Sequence, residues 1–280
     1  MRVTLWGTRG SLASPGADTV RYGGNTSCVS VEGTEGTVLV LDGGTGIRCL
    51  GQSLPPDLKL VHILLTHLHM DHIQGLPFFA PLRRRGVEVH IWGPASTTLS
   101  LRARLLRYLS PPLFPVSLRD IRSDMHFHEL PSGMVEIGEF RMTAQLVIHP
   151  NPTVGYRVEE QGVSLTYLPD HEPALGNRSF PYHPDWTSGY SLAKGADLLI
   201  HDAQYTEEMY RARLGFGHSS IGQALRFARL AGARQLVPFH HDPSHGDEAL
   251  DRMIAQVVAE VQPEFSVTPG MEGTVLELSS

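Results

Sequence analysis

A short polar segment in the first third of the chain carries residue types that bind metals. Residues 66–72 read THLHMDH and directly follow an apolar run at 61–65. In a loop, side chains one and two positions apart can point into one site. Two imidazoles suit zinc, iron or manganese, and the neighbouring carboxylate of Asp71 favours a second cation. The alternative is a polar strand-to-helix turn capped by Asp71, but three histidines and an aspartate within six residues favour a metal site.

The elements that position this segment follow from hydrophobic patterning. The run at 61–65 is typical of a strand buried on both faces. Short β-branched runs between glycine clusters predict antiparallel strands at about 3–5, 28–31 and 37–41. Further strands are predicted at about 88–92, 140–148, 154–158, 163–168, 198–200, 235–237, 265–267 and 274–278. Helices are predicted over about 97–109 and 219–230 and along an apolar stripe at 250–261, and about 170–189 is predicted to be a loop.

This order of elements favours a β-rich core with helices outside it over a simple βαβ repeat. The predicted fold class is α/β (α+β), and one arrangement that fits is a four-layer αββα sandwich. Its middle layers would be two mixed β-sheets, with helices on their outer faces. A chain of 280 residues lies at the upper end of what one hydrophobic core supports.

Composition excludes several classes of protein. Net charge is −6, which disfavours broad electrostatic capture of nucleic acid. No apolar run reaches the roughly 20 residues of a membrane span, and the first residues lack the apolar stretch of a signal peptide. Cys28 and Cys49, the two cysteines, make neither a disulfide framework nor a Cys₄ zinc site. We therefore expect a soluble, cytoplasmic protein without a membrane partner, and a homodimer on general grounds.

At residues 67–72 the chain resembles the metallo-β-lactamase-fold hydrolases, whose signature is His-x-His-x-Asp-His after a buried strand. Three later motifs of that family are a histidine ending a strand, an aspartate after a strand, and a histidine after a strand near the C-terminus. The matching residues are His149, Asp170 and His240. The resemblance implies that residues 1–280 form a single domain with the αββα fold.

The resemblance also implies two divalent metal ions, with zinc preferred and manganese or iron as alternatives. The implied ligands are His67, His69 and His149 for one ion, Asp71, His72 and His240 for the other, and Asp170 between them. His241 is a rival to His240. His240 is preferred because the sequence HHDP, aligned on its proline, is similar to the His-x-x-Pro of the phosphodiesterase branch.

Two further segments, LIHDAQ at 199–204 and GHSS at 217–220, resemble ribonuclease Z and related phosphodiesterases. The resemblance implies that Asp202 orients His218 and that His218 protonates the leaving oxygen. These two residues and Asp71 are the implied catalytic residues. Glycine-rich segments at 7–11 and 21–26 also look like small phosphodiesterases of this branch, but ordinary turns explain them equally well.

The sequence thus predicts a dinuclear metal-dependent hydrolase, a phosphodiesterase acting on small cyclic or nucleotide phosphodiesters through a metal-bound hydroxide. RNA is a less favoured partner: Asp202 replaces a glutamate of ribonuclease Z, no long basic glycine-rich arm is present, and the net charge is acidic. The alternatives are an RNA-processing endonuclease, a carbonyl hydrolase acting on a lactone, thioester or lactam, and a metal-binding sensor without turnover.

Several polar residues outside these motifs have simpler interpretations. His62 and His90 lie inside predicted strands and are interpreted as core or edge residues, whereas His126 and His128 alternate with Phe127 on a partly exposed face. The arginines at 83–85 and 102–107 form either solvated faces or a local patch that binds substrate phosphate. Residues 171–172 either line the site or belong to a surface loop.

Overall fold

A computed structural model of the chain describes residues 1–117, 120–174 and 180–279. The first β-sheet contains β1 (Arg2–Gly7), β2 (Cys28–Glu32), β3 (Val38–Leu41), β4 (Leu60–Leu64), β5 (Glu88–Pro94), β6 (Asp124–Leu130) and β14 (Val275–Glu277). Its strand order is β14-β1-β2-β3-β4-β5-β6. The first strands pair antiparallel, as predicted, and β3 to β6 run parallel.

The second sheet has seven strands and packs its inner face against the first. It contains β7 (Gly133–Ile137), β8 (Phe140–Leu146), β9 (Val154–Glu160), β10 (Val163–Leu168), β11 (Leu198–Asp202), β12 (Gln235–Phe239) and β13 (Ser266–Val267), in the order β13-β12-β11-β10-β9-β8-β7. Side chains such as Leu41, Tyr156 and Ile200 fill the space between the sheets. Burial of this apolar surface is the main force that holds the sheets together.

Helices cover both outer faces. On the first sheet lie α1 (Ile47–Ser53), α2 (Met70–Ile73) and α3 (Leu101–Leu106), and with the second sheet lie α4 (Tyr190–Ala193), α5 (Glu207–Ala212), α6 (Ile221–Ala231) and α7 (Asp247–Val261). In β4, Val61 and Ile63 point outward under the helices and Leu64 points inward, as the period of two requires. The predicted four-layer αββα fold class is confirmed.

The structure differs from the sequence prediction in some elements. Helix α3 is shorter than the predicted 97–109, because Ser100 caps its start by accepting a hydrogen bond from the Ala103 amide. Strands β6 and β7 were not predicted, since their half-buried polar residues do not alternate cleanly with apolar ones. In the predicted loop at 170–189, a 3₁₀ turn forms at Pro184–Trp186, and 175–179 lie outside the described residues. None of the described helices is long and apolar enough to cross a membrane.

The topology brings the polar motifs to one edge of the sandwich. Strands β3, β4 and β5 run parallel in the first sheet, and β10, β11 and β12 run parallel in the second. In open α/β sheets, binding sites form outside the carboxyl ends of such strands. The polar residues at or just beyond these ends are Asp42, His67, Asp170, Asp202 and His240.

Candidate metal centre

The segment at 66–72 is held in place by a buried carboxylate. After β4 ends, the Thr66 amide and hydroxyl donate to Asp42 Oδ1 at 2.7 and 3.0 Å. Asp42 follows β3 directly and adopts a left-handed φ of 62°. Helix α2 then begins at Met70, so Asp71 and His72 lie in its first turn. The chain therefore turns within a few residues, and the four polar side chains converge.

One group of candidate ligands consists of His67, His69, His149 and Asp170, whose ligand atoms all lie within 4.8 Å of one another. His149 Nε2 lies 3.3 Å from His69 Nδ1. Asp170 Oδ2 lies 3.7 Å from the Nε2 atoms of His67 and His149. Three imidazoles and one carboxylate oxygen thus face a common point.

A second group consists of Asp71, His72, Asp170 and His240, again within 4.8 Å. Asp170 Oδ1 lies 2.9 Å from His72 Nε2 and 3.3 Å from His240 Nε2. His240 Nε2 is also 3.1 Å from Asp71 Oδ2. The two oxygens of Asp170 therefore face different groups, which is the arrangement expected of a bridging carboxylate.

Three of the imidazoles are oriented by contacts at their far nitrogen. His72 Nδ1 lies 2.8 Å from Asp42 Oδ2, and His149 Nδ1 donates to the Gly217 carbonyl at 2.8 Å. His240 Nδ1 lies 3.3 Å from Gln204 Oε1. Such partners orient the rings so that Nε2 faces the centre.

Burial and opposite charges determine the ionisation of these groups. Burial lowers the pKa of His67, His69 and His149, which keeps their imidazoles neutral and able to ligate a cation. Burial disfavours a charged Asp170, but the surrounding histidines hold the pKa of this carboxyl well below its usual range. Burial likewise opposes charge on His72, yet nearby carboxylates hold its pKa well above the ordinary value.

These observations fit a site built for cations. Asp42, Asp71 and Asp170 are buried carboxylates in one small volume, and buried charges of one sign are costly unless they are paired or coordinate a metal. Within the described ranges, His67 Nε2 is buried and has no hydrogen-bond partner. Imidazole and carboxylate donors of this kind suit divalent transition metals, zinc among them.

The structure separates the two neighbouring histidines after β12. His240 faces Asp71 and Asp170, and its backbone adopts a left-handed φ of 60°. His241 turns away, because its Nε2 donates to the Gly270 carbonyl at 2.9 Å and its ring packs against Tyr22. Burial lowers the pKa of His241 to about 3.

A histidine–aspartate pair lies directly beside the candidate ligands. His218 Nδ1 is 2.6 Å from Asp202 Oδ2, and Asp202 is fully buried at the end of β11. The His218 ring stacks on the His240 ring with centroids 5.0 Å apart. Burial lowers the pKa of His218, but the Asp202 carboxylate outweighs this effect and raises the pKa to about 9. The imidazole is therefore protonated at neutral pH.

One of the two glycine-rich segments lines the site. The Ser11 amide donates to Asp71 Oδ2 at 2.7 Å. A Cβ at Gly10 would lie 2.4 Å from His240 Nδ1, so only glycine fits there. The segment at 21–26 instead supports this loop, since the Asn25 carbonyl accepts from the Thr8 and Arg9 amides. The Asn25 side chain itself donates to Glu272.

Of two carboxylates that support the site, Asp42 was not predicted from sequence, and Glu172 was predicted either to line the site or to belong to a surface loop. Asp42 could have been suspected as an acid directly after a buried strand parallel to β4. Glu172 is fully buried and accepts hydrogen bonds from the Gly217 amide at 2.9 Å and the Gly215 amide at 3.1 Å. Glu172 thus holds residues 213–218, the His218 loop, beside the centre, and no sequence signal distinguishes this role from that of a surface acid.

A cavity of about 620 Å³ opens next to His69. Arg104, Arg107 and Tyr108 supply its basic and aromatic lining, and Asn151 Nδ2 lies 3.3 Å from His69 Nε2 at its floor. Arg104 is held by the Pro94 carbonyl and by Glu129, whereas Arg107 is exposed. At least part of the arginine cluster at 102–107 therefore faces the candidate site rather than bulk solvent alone.

The sequence profile of the beta-lactamase superfamily domain matches residues 38–241, and the chain belongs to this family. A ribonuclease Z of Haloarcula marismortui is 27% identical over 92% of this chain and 94% of its own length. Among solved structures, a diphosphatase from the PhnP family superposes with a TM-score of 0.70 at 20% identity, covering 99% of this chain and 98% of its own. Zinc-bound PqqB from Methylobacterium extorquens superposes with a TM-score of 0.69 at 19% identity, covering 99% of this chain and 100% of its own.

These comparisons confirm two predictions made from sequence. The chain is a member of the metallo-β-lactamase superfamily, and it is similar over most of its length to proteins named ribonuclease Z. It is also an enzyme, a metal-dependent hydrolase.

Proposed function

We propose that this protein is a dinuclear metal-dependent phosphodiesterase that hydrolyses small cyclic or nucleotide phosphodiesters. The observation that carries the proposal is the hydrogen-bonded His218–Asp202 pair in contact with the candidate ligand set. Phosphodiester cleavage creates a strongly basic leaving oxygen that a proton donor stabilises, and the pair supplies that donor.

The proposed centre takes two divalent ions, with zinc preferred. The ligands we assign are His67, His69, His149 and Asp170 for one ion, and Asp71, His72, Asp170 and His240 for the other. The bound ions supply a nucleophile from water at neutral pH and positive charge opposite the phosphate oxygens. Imidazole-rich coordination and the zinc-bound PqqB neighbour support zinc.

The chain's own residues supply positioning and proton transfer. Asp202 accepts from His218 Nδ1, which leaves Nε2 as the nitrogen that gives its proton to the leaving oxygen. Asp202 in turn accepts from the Ser219 and Gln204 amides at 3.0 and 3.1 Å, so the carboxylate is fixed before substrate arrives. Ser11 fixes Asp71 in the same way from the opposite side. Preorganisation of this kind avoids reorganisation during the reaction.

The cavity beside His69 supports a small substrate. Its volume lies within the range of pockets for small ligands. Arg107 offers a charge for a phosphate, and Tyr108 offers an aromatic ring beside Leu113 and Met70 for a nucleobase or similar group. The net charge of −6 also opposes binding of a long polyanion.

The second candidate function is RNA-processing endonuclease activity. The observation that favours it is the similarity over most of the chain to proteins named ribonuclease Z. In that case the cavity would hold the nucleotides on one side of the cleaved bond.

The first test is hydrolysis of bis-p-nitrophenyl phosphate by protein loaded with zinc or manganese. We expect turnover in the wild type and its loss in Asp170→Ala, because this carboxylate faces both ligand groups. His183→Gln, which changes an exposed histidine outside both ligand groups, serves as control. Equal turnover in Asp170→Ala and wild type would refute the assignment of the centre.

A substrate comparison then separates the candidate functions. A 2′,3′-cyclic nucleotide and a precursor tRNA with a 3′ trailer are offered at equal concentration. Faster cleavage of the cyclic nucleotide supports the proposal, and faster cleavage of the precursor supports the endonuclease. Turnover of a lactone with no turnover of any phosphodiester would favour a carbonyl hydrolase.

A further inference from the structure

Four histidines gather on the inner face of the first sheet, near its β6 edge. His62 of β4, His90 of β5 and His126 of β6 are register partners across three neighbouring parallel strands. His128, two positions after His126, pairs with Trp92 and stacks on its ring with centroids 3.9 Å apart. We call His62, His90, His126 and His128 the edge histidine cluster.

The edge histidine cluster is only partly covered. Trp92 and Leu130 on the same face pack against the core between the sheets. The side chains of His90 and His126 are 22% and 43% exposed, so they lie where this cover ends. Water and ions can therefore reach them.

Three side chains in this region have the geometry of a cation site. The ligand atoms of Glu88, His90 and His126 lie within 4.8 Å of one another. Glu88 and His90 are two positions apart on β5 and so project from the same face, and His126 faces His90 from the next strand. The His90 and His126 rings have centroids 4.7 Å apart.

One ligand atom in this group is buried without a partner. Within the part of the chain that the structure describes, His90 Nε2 makes no hydrogen bond, although Glu88 Oε2 lies 3.7 Å away. The other nitrogen of the same ring, Nδ1, lies 3.0 Å from His128 Nε2. If His90 Nδ1 donates this bond, Nε2 carries a lone pair, and His128 orients the imidazole as outer partners of metal-ligating histidines do.

We propose that Glu88, His90 and His126 bind a zinc ion at a site separate from the candidate metal centre. Two imidazoles and a carboxylate are a donor set of catalytic and regulatory zinc sites, with the remaining position open to water. Glu88 opens β5 and pairs with Leu60, the first residue of β4. The carboxyl end of β4 leads to His67, so the two sites lie at opposite ends of the same strands.

The position of the site suggests what the ion does. β6 is the edge strand of the first sheet, and the segment between β5 and β6 carries Arg104, Arg107 and Tyr108. An ion held by β5 and β6 together cross-links the two strands that bound this segment. Binding should therefore protect the edge strand from opening.

The experiment counts zinc in full-length protein after removal of weakly bound ions. Glu88→Gln combined with His126→Gln should contain about one zinc ion per chain fewer than wild type, because two of three protein ligands are lost. His183→Gln combined with Asp185→Asn alters another exposed histidine–acid pair and should leave the count unchanged. Equal zinc content in wild type and in Glu88→Gln/His126→Gln would overturn the proposal.

The same zinc measurement in the Asp170→Ala variant separates this site from the candidate metal centre. Adding His126→Gln to Asp170→Ala should remove about one zinc ion per chain, because the ion bound by Glu88, His90 and His126 does not depend on Asp170. Hydrogen exchange of the β6 amides provides a readout other than activity, and zinc should slow it in Asp170→Ala but not after His126→Gln is added. Asp170→Ala without any zinc, or with zinc insensitive to His126→Gln, would contradict the site.

Discussion

The fully buried carboxylate of Asp202 determines which nitrogen of His218 can act. Its contact at 2.6 Å occupies Nδ1, so Nε2 is the only ring nitrogen left for substrate. The same contact keeps the imidazole charged, because a nearby negative charge stabilises the protonated form. A neutral amide at position 202 would preserve the shape of the pair but not its charge.

We predict that His218→Ala lowers kcat by about 10²–10⁴-fold, the typical contribution of general acid catalysis, and leaves metal content unchanged. Turnover of a 2′,3′-cyclic nucleotide, whose leaving oxygen is strongly basic, and metal per chain are measured on the same sample. Asp202, His218 and His240 also lie close enough to share an ion. Loss of one ion in His218→Ala would therefore identify His218 as a ligand instead.

We predict that Asp202→Asn moves the alkaline limb of the pH–rate profile to lower pH. Removing the carboxylate lowers the pKa of His218, so the acid loses its proton earlier as pH rises. The profile of kcat/KM is recorded across the neutral and alkaline range. A limb at the same pH in both proteins would show that another group titrates there.

The sequence predicted the residues that lie at the candidate metal centre, but it did not predict the role of the residues that hold them in place through hydrogen bonds. The spacing in 67–72 predicted a metal segment because four of its six positions bear a histidine or an aspartate. Asp42 and Glu172 act through hydrogen bonds to atoms that lie 24 to 45 positions away in the chain. Such partners are set by the fold, and a single buried acid has no pattern that reveals them.

At the scale of elements, the His218 loop depends on one carboxylate and one glycine. Gly217 adopts a φ of 86°, and a Cβ there would lie 2.5 Å from His149 Nδ1. Its amide donates to Glu172, while its carbonyl accepts from His149. The loop therefore couples the position of the candidate acid His218 to that of a candidate ligand.

We predict that Glu172→Leu lowers kcat by about a hundredfold, since a displacement near 1 Å at a reacting group can cost that much. Leucine removes both acceptor oxygens, so the Gly215 and Gly217 amides lose their partner and the loop shifts. Tyr210→Phe removes a hydroxyl that donates to the same carboxylate but spares both amides, so its loss should be smaller. Equal losses in the two variants would argue against the loop as the cause.

The elements found from sequence were those with clear periodicity. The strand at 61–65 and helix α7 could be predicted without tertiary information, because the spacing of their apolar residues indicates whether one face or both faces are buried. Strand β6 carries histidines at half-buried positions, and both β6 and β7 carry exposed glutamates near a sheet edge. Their pairing with β5 and β8 stabilises them, and local sequence does not record such pairing.

At the scale of the whole molecule, the candidate ligands come from both sheets. The segment 67–72 follows β4 of the first sheet, whereas His149, Asp170 and His240 follow strands of the second. A cation bound between them would hold the two halves of the sandwich together. Domain organisation stays a prediction here, since the fold class alone does not test how residues 1–280 unfold.

We predict that a chelator lowers Tm by about 5–10 °C, because a ligand at 100 times its Kd stabilises the native state by about 2.7 kcal/mol and each kcal/mol is worth about 2–4 °C in a chain of this size. Differential scanning calorimetry with and without chelator measures the shift. One cooperative transition would support the single domain, and two would contradict it. Asp170→Ala should show a much smaller shift than wild type.

Sequence patterning and the family resemblance together predicted the αββα layers, but they did not predict how the two sheets pack. Counting strands and helices led to a β-rich core, and the family resemblance supplied the order of the layers. The juxtaposition of Ser11 with Asp71, and of Gly10 with His240, depends on how the N-terminal loop folds across both sheets. Contacts at such long separation are decided by the assembled core.

The cavity beside His69 has a consequence for how this enzyme can change over evolutionary time. Most of its basic and aromatic lining belongs to the chain between β5 and β6, while the candidate ligands follow other strands. The segment between β5 and β6 could therefore change in length or in sequence without disturbing the candidate ligands. If the cavity binds the substrate as proposed, substrate choice and chemistry depend on separate segments of the chain, so new activities could arise by exchange of a single segment.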